Sequence, residues 1–480
     1  MNLRKLRYIV GMLTIPSFVF AQDSLAMLEF NDYLSLVLQN HPVIRQSELR
    51  PQMAEAEVRM AKGLLDPKLE FSQSVKNFKD KTYYDLLNTT LKIPTWLPLD
   101  PKISFERNEG EFLNPMDGLP SDSENRQLTA GLSLPVGRGL FIDERRAVIQ
   151  QAKIYQSVAM AEQVKMANKL MFTVIKDYLE WSLAYQELQL LEQSIKIAEE
   201  LYRRVRLDYT FGEAAVVDTV QALITLQTRQ ADYQKFQYEY IAAGLKLSNH
   251  LWSEEGSPLE IQSNVIPNTS IVWKDTPDAS QVEELKLWAM DNHPDIQKIR
   301  GKSDQLSVEN RLAKEYLKPA VDLSYSFIDA PINPNGEFVN PSFGDNYKMG
   351  IDVYFPLLLR KERGKLALTE IKLQDISYET DYLKLNISNT VSSKYAELIT
   401  AQNLTDQYHL MAENYERLLD AELLNLETGE SDLFKLNIQQ DKFIDSQLKY
   451  LLNLTKFQKL KAELLYEAGN LFETIEAVSN

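Results

Sequence analysis

Four histidines (His41, His250, His293 and His409), no cysteine, and acids gathered beside two glycines are the chemically capable residues of this chain. A zinc-type site needs Cys or His at short spacing, and no second His or Cys lies within metal distance of any of the four. No Ser, His and acid arrangement stands out, and there is no phosphate-binding loop. Gly137-Arg138-Gly139 has a Gly-Xaa-Gly spacing, but the third glycine of a dinucleotide fingerprint is missing. That stretch reads as a turn from strand into helix. Catalysis, cofactors and bound metal are therefore not expected. What remains is charge. Glu213 follows Gly212, with Asp218 behind it; Glu430 follows Gly429, with Asp432 and Lys435 behind it. Such acids would favour cations at an opening, or meet a basic partner surface. Their plain reading is that acids at a helix start suit the helix dipole and solvent.

Long helices must carry those turns. Leu140 to Phe211 contains neither Gly nor Pro, and would approach about 100 Å as one helix. Apolar residues step by three and four along it: Val174, Tyr178, Trp181, Tyr185, Leu188, Leu191, Ile195, Ala198, Tyr202 and Val205. Gly212 interrupts the run, and helix resumes to about Trp252. Lys365 to Thr428, Gly429 and the run from Glu430 to about Ala468 repeat the pattern at an offset of 217 residues. Nearer the start of each copy the offset is 252: Asn-His-Pro at 40–42 recurs at 292–294, and Glu57, Arg59, Leu65 and Pro67 meet Glu309, Arg311, Leu317 and Pro319. The chain is a duplication. His41 and His293 are expected as bend or capping residues, with Pro42 and Pro294 in the first turn of the next helix.

The fall from 252 to 217 leaves the first copy 35 residues longer between its early and late parts. Strand-like sequence fills that place in both copies. Val321, Leu323, Tyr325 and Phe327 alternate with small polar residues, and so do Tyr347, Met349, Ile351, Val353 and Phe355. In the first copy Leu69, Phe71 and Val75, and later Leu128, Ala130, Leu132 and Leu134, do the same. Alternation of this kind fits a barrel wall between lipid and water, and equally a soluble sheet with one buried face. The aromatics Tyr83, Tyr84, Trp96, Tyr325, Phe327, Tyr354 and Phe355 fit an interfacial girdle or an ordinary core.

The expected division follows. Residues 1–21 read as a secretory signal peptide, with Arg4, Lys5 and Arg7 before an apolar run and Val19-Phe20-Ala21 at the cleavage site. Repeat one is 22–252, with strands about 68–135, a long insertion at 76–127 and a helical hairpin at 140–252. A linker, 253–280, precedes repeat two at 281–470, with strands about 320–356 and a hairpin at 362–468; a tail, 471–480, closes the chain. Removing the signal takes the net charge from −16 to −19, with 49 Lys and Arg against 68 Asp and Glu, so nucleic acid is not an expected partner. After the signal no apolar run approaches the roughly 18 residues of a membrane helix. A membrane could be crossed only by strands, and the two strands expected per repeat are too few to close alone. Several copies would have to pool them.

The duplicated order, the Asn-Xaa-Pro break, the strand-to-helix junctions "GLSLPVGRGLFIDERRA" and "GIDVYFPLLLRKERGKLA", and the tips "FGEAAVVDTVQAL" and "TGESDLFKLNIQQ" resemble the TolC-like outer membrane efflux protein family (outer membrane factors) over essentially the whole mature chain. The resemblance implies a mainly α fold with a membrane β-barrel portion: a homotrimer sharing a twelve-stranded barrel in outer membrane lipid, above a periplasmic barrel of long helical hairpins. It implies a passive exit duct of a tripartite efflux or type I secretion system, with no enzyme activity. Its helical tips (Gly212, Glu213, Asp218, Gly429, Glu430, Asp432 and Lys435) would dock a periplasmic adaptor of an inner-membrane transporter. Two departures stand out. Lys435 lies where an acidic gate in the second repeat would need Asp, opposite Asp218. The insertion at 76–127 is long enough for an additional hairpin, which would add barrel strands or elaborate the outer mouth. A pore-free periplasmic scaffold of the same hairpins is the rival expectation.

Overall fold

The structure, a computed structural model, describes residues 26–113, 126–270, 273, 275–329 and 346–479. The expected signal peptide lies outside the described residues. In chain order the elements are β1 (Ala26–Leu28), α1 (Phe30–Asn40), α2 (Pro42–Lys62), β2 (Lys68–Phe78), β3 (Lys81–Lys92), β4 (Asp100–Glu109) and β5 (Arg126–Pro135). Then come α3 (Glu144–Phe211), α4 (Val216–Ser248), β6 (Val265–Pro267), α5 (Ala279–Asn292), α6 (Pro294–Glu315), β7 (Ala320–Asp329), β8 (Tyr347–Tyr354), α7 (Arg360–Thr428), α8 (Leu433–Ala468) and α9 (Leu471–Ser479). Among the described residues no helix is long and apolar enough to cross a membrane.

The two Asn-His-Pro stretches fold alike. His41 and His293 are the N-caps of α2 and α6, and their Nδ1 atoms accept the amides of Val43 and Asp295, each at 3.1 Å. A histidine here ends one helix and satisfies a free amide of the next. In the segment expected as a linker, 253–280, the structure places β6, paired in parallel with β1 (Ala26 with Val265). Each repeat thus opens on a short strand.

The chain divides into two compact units. One comprises residues up to 39, 174–272 and 405–455. Its interior starts from an aromatic group: Tyr178 lies 5.1 Å from Phe30, 5.5 Å from Tyr33 and 6.0 Å from Trp181, centroid to centroid. The Tyr178 hydroxyl donates to the Leu28 carbonyl at 2.8 Å, so the buried ring also satisfies its polar end. The apolar seam read along α3 is the buried stripe, from Val174 through Tyr178, Trp181, Leu191 and Ala198 to Val205. Asp177, buried in the same helix, meets Lys246 at 2.7 Å and His250 at 2.8 Å on the α4 side. Burial alone would raise its carboxyl; hydrogen bonds from His250 and Lys246 outweigh that and hold it below the usual carboxylate range.

The other unit comprises 40–173, 273–404 and 456 onward. Its helical core packs Val282, Ala289 and Ile296 against Val391, Leu398, Leu460 and Leu464. Asn168 is buried there; its amide donates to Gly469 O at 2.7 Å and its oxygen accepts from Phe472 N at 2.6 Å, fastening the turn between α8 and α9.

This unit also holds a six-stranded antiparallel sheet in the order β2-β3-β4-β5-β7-β8. The sheet corrects one expectation: repeat one carries four strands, not two, while repeat two carries two. The added pair is β3 and β4, both inside the 76–127 insertion. The outer turn that leads from β2 into β3 is tight, with Lys79 and Asp80 at φ 53° and 60°, the two left-handed residues that a two-residue hairpin turn requires. The alternation there is blurred by adjacent Leu86 and Leu87, which is why the sequence left open whether the insertion's additional hairpin joins the wall.

Candidate functional site: hairpin tips and the two faces of the sheet

Each helical hairpin reverses at a glycine. Gly212 and Gly429 stand at φ 83° and 76°, and a Cβ at either would touch nothing within 4 Å. The glycines are there for backbone conformation alone. The same pair of hydrogen bonds closes both helices: Glu213 N to Asp208 O and Gly212 N to Tyr209 O, then Glu430 N to Asn425 O and Gly429 N to Leu426 O.

The acids part company after that. Ala215 and Asp432 sit at the same cap position, three residues past the glycine. In repeat two the Asp432 carboxylate accepts the Lys435 amide at 2.9 Å. In repeat one the cap residue is Ala, and Asp218, three residues on, reaches back to accept the Ala215 amide at 2.9 Å. So Asp218 and Asp432 are both helix caps, drawn from opposite ends of the same four-residue frame. Lys435 takes the place equivalent to Asp218, 3.9 Å from Asp432 across an exposed surface. Glu213 and Glu430 stay exposed. The acids of the two tips are held in separate turns, while apolar packing of Leu201, Val205, Ala222, Leu419 and Leu436 joins the hairpins.

Sequence reasoning missed two features here. Phe211, Val216, Val217 and Phe434 are exposed beside the glycine turns, with Phe434 the counterpart of Val217. Apolar residues in a solvated turn were the available signal. Arg229 on α4 is buried and paired with Asp441 on α8, a link between hairpins that no local pattern announces.

The histidines do no joint chemistry. His41 and His293 cap helices, His250 pairs with Asp177, and exposed His409 lies against Tyr450. Among the described residues no group of His, Cys, Asp or Glu could hold a metal ion.

In the sheet, paired residues share a face, so the registers sort every side chain. One face carries Leu69–Leu91–Ile103–Ala130–Phe327–Tyr347 in a single row across all six strands. Below it run Pro101–Leu132–Tyr325–Met349 and Leu134–Leu323–Ile351; above it run Phe71–Thr89–Phe105–Leu128. The opposite face carries Glu70–Thr90–Ser104–Thr129 and Ser72–Asn88–Glu106–Gln127. A soluble sheet would cover the apolar face. Here the apolar face is open, with Phe71 66% and Met349 64% exposed, while polar Thr90, Ser104, Asn108 and Gln127 are buried. At the outer end the apolar rows stop at charge: Arg107 bridges Asp85 at 3.4 Å and Glu109 at 3.5 Å. An apolar band outside, a polar face within and a charged border suit a wall between hydrocarbon and water.

Residues 33–251 match the family described as "Outer membrane efflux protein". Similar solved structures include the Campylobacter jejuni CmeC outer membrane channel, 12% identical with a TM-score of 0.63 over 100% of this chain and 97% of that one. The Vibrio cholerae outer membrane protein VceC is 14% identical with a TM-score of 0.62, over 92% of this chain and 96% of its own. The open state of the Neisseria gonorrhoeae MtrE outer membrane channel is 14% identical with a TM-score of 0.64, over 92% and 89%. Among curated proteins none matches the sequence. At such identities the likeness is one of fold. The mainly helical chain with a strand portion has the fold of these channels.

Proposed function

We infer that this chain, whose residues 33–251 match the outer membrane efflux protein family, is the outer membrane channel of a tripartite efflux or type I secretion system. The observation that carries the reading is the inverted sheet, its apolar side open while Thr90, Ser104, Asn108 and Gln127 on the polar side of the middle strands are buried, with both edge strands unpaired among the described residues. An open edge in hydrocarbon leaves backbone amides and carbonyls unsatisfied, so the sheet must be completed by further copies. Three copies close the wall and the helical hairpins continue it on the periplasmic side. The duct is passive, with the energy supplied by an inner-membrane transporter.

The tips are the docking end. Glu213 and Glu430 present free-standing charge, Asp218 and Asp432 stiffen the turns, and Phe211, Val217 and Phe434 offer apolar contact to a periplasmic adaptor. Drug, metal and polypeptide cargo are all compatible with such a conduit, because the transporter chooses among them.

The test is the native mass of the mature protein extracted from membranes, with a detergent-free wash alongside. Release only in detergent, at the mass of three chains, is the expected result. Release by the wash as a single chain would leave a periplasmic scaffold and end the channel reading.

A further inference from the structure

The β3–β4 hairpin is the part of the sheet that the family resemblance leaves unexplained. Its place in the ladder is interior: β2 pairs with β3 over Lys68–Phe78, β3 with β4 over Asp85–Lys92, and β4 with β5 over Asp100–Arg107. No direct pairing joins β2 to β5, so the hairpin cannot hang outside the wall while its neighbours stay in it. Its side chains obey the same division as the rest. Leu87, Thr89 and Leu91 with Ile103 and Phe105 continue the open apolar face; Asn88, Thr90, Ser104 and Glu106 continue the covered polar one, with Leu86 the exception near the outer end.

The hairpin also runs the full height. Strands of 12 and 10 residues match the 9–11 or so needed to cross a bilayer at a tilt. Its inner turn is fastened at the level where β5 passes into α3. Arg145, near the start of α3, holds the Asp100 carboxylate through two nitrogens at 3.2 and 3.0 Å. Thr95 Oγ1 donates to Leu99 O at 2.6 Å and closes the turn. Trp96 and Leu97 at that turn are exposed, as interfacial anchors would be.

We propose that each chain gives six strands to the membrane wall, and that the assembled channel is an eighteen-stranded barrel rather than the twelve-stranded one the family resemblance implies. The proposal rests on the trimer inferred above. The partner at both sheet edges is a second copy of this chain: β2 of one copy pairs with β8 of the next. Every residue of β2 and all but one of β8 are exposed. Because the number of strands per chain is even, β2 and β8 run in opposite directions, so each junction between copies is antiparallel like the junctions within them. With strands about 4.8 Å apart and tilted about 40°, eighteen strands give a wall radius of about 18 Å, against about 12 Å for twelve. The membrane section then has roughly twice the cross-section.

The chain has no cysteine, so single cysteines can be read without background. Membranes carrying Asn88→Cys, Lys92→Cys, Lys102→Cys or Glu106→Cys on the polar face, and separately Thr89→Cys, Leu91→Cys, Ile103→Cys or Phe105→Cys, are treated with a water-soluble maleimide, and each variant's native mass is measured in detergent. The expected result is three-chain particles in which the first set labels at least ten-fold faster than the second. Equal labelling of both sets in three-chain particles overturns the eighteen-stranded wall and leaves the channel reading standing. Particles of one chain that wash out without detergent end both.

Discussion

Substituting Leu132 with Arg separates lipid from water at one position. Leu132 is 46% exposed on the open face of the sheet, in the row Pro101–Leu132–Tyr325–Met349. The larger side chain therefore has room, and no cavity or overpacking cost enters. If that face met water, the substitution would change stability by about 0.5 kcal/mol or less, as exposed replacements do. If it meets hydrocarbon, Arg near the middle of the band costs about 2–4 kcal/mol, a 30- to 1,000-fold shift in the folding equilibrium. Ser133, the next residue, points to the polar face opposite Asp100, and Ser133→Arg should cost less than about 1 kcal/mol. Urea unfolding of the two variants out of phospholipid vesicles gives the comparison. A Leu132→Arg penalty no larger than that of Ser133→Arg would refute the assignment of faces.

Three further outcomes follow from the helical parts. Asn168→Ala strips partners from Gly469 O and Phe472 N, and at about 1–2 kcal/mol for each group, amides of α9 should exchange with solvent roughly 30- to 1,000-fold faster; unchanged exchange would show the clamp to be idle. Glu187 is pushed up to about 7, by burial first and by Glu239 second, against the pull of Lys235. Its raised value means the protonated form favours the fold, so that stability is present below about pH 4.5 and is lost as pH rises through 7; the thermal midpoint should fall between pH 5 and 8, and Glu187→Gln should flatten the fall. At the tips, Glu213→Lys with Glu430→Lys should weaken cation preference in single-channel recordings with stability unchanged, whereas Asp432→Ala should cost about 1 kcal/mol for its lost cap. Identical ion selectivity after both reversals would leave the exposed acids without a role at an opening.

The helices were legible because their signals are local. Residues stepping by three and four, a glycine free of side-chain contact and a proline after a capping histidine each act within a few positions, and the duplication doubled every one of them. The strands of repeat two were legible for the same reason. The β3–β4 hairpin was legible only as an option within the 76–127 insertion: Leu86 and Leu87 break its alternation, so the sequence left open whether it joins the wall or elaborates the outer mouth. Alternation also says that two faces differ, never which is covered; that Ser104 is 2% exposed while Phe71 lies open is a tertiary fact. At the tips the charges were visible, but their division into caps and free-standing acids turns on two positions, Ala215 and Asp218 where repeat two has Asp432 and Lys435. The link from Arg229 to Asp441 spans 212 residues and had no sequence signal at all.

That difference at two positions limits the symmetry the proposed trimer can offer. Two hairpins of one fold, repeated around three chains, would present six reversals of the same backbone. Yet one reversal in each pair ends in Ala215 and Asp218, and the other in Asp432 and Lys435. A ring of partners set around this end meets two kinds of seat in alternation. A partner that binds as three copies can use one kind alone; one that binds as six must hold the same surface in two ways.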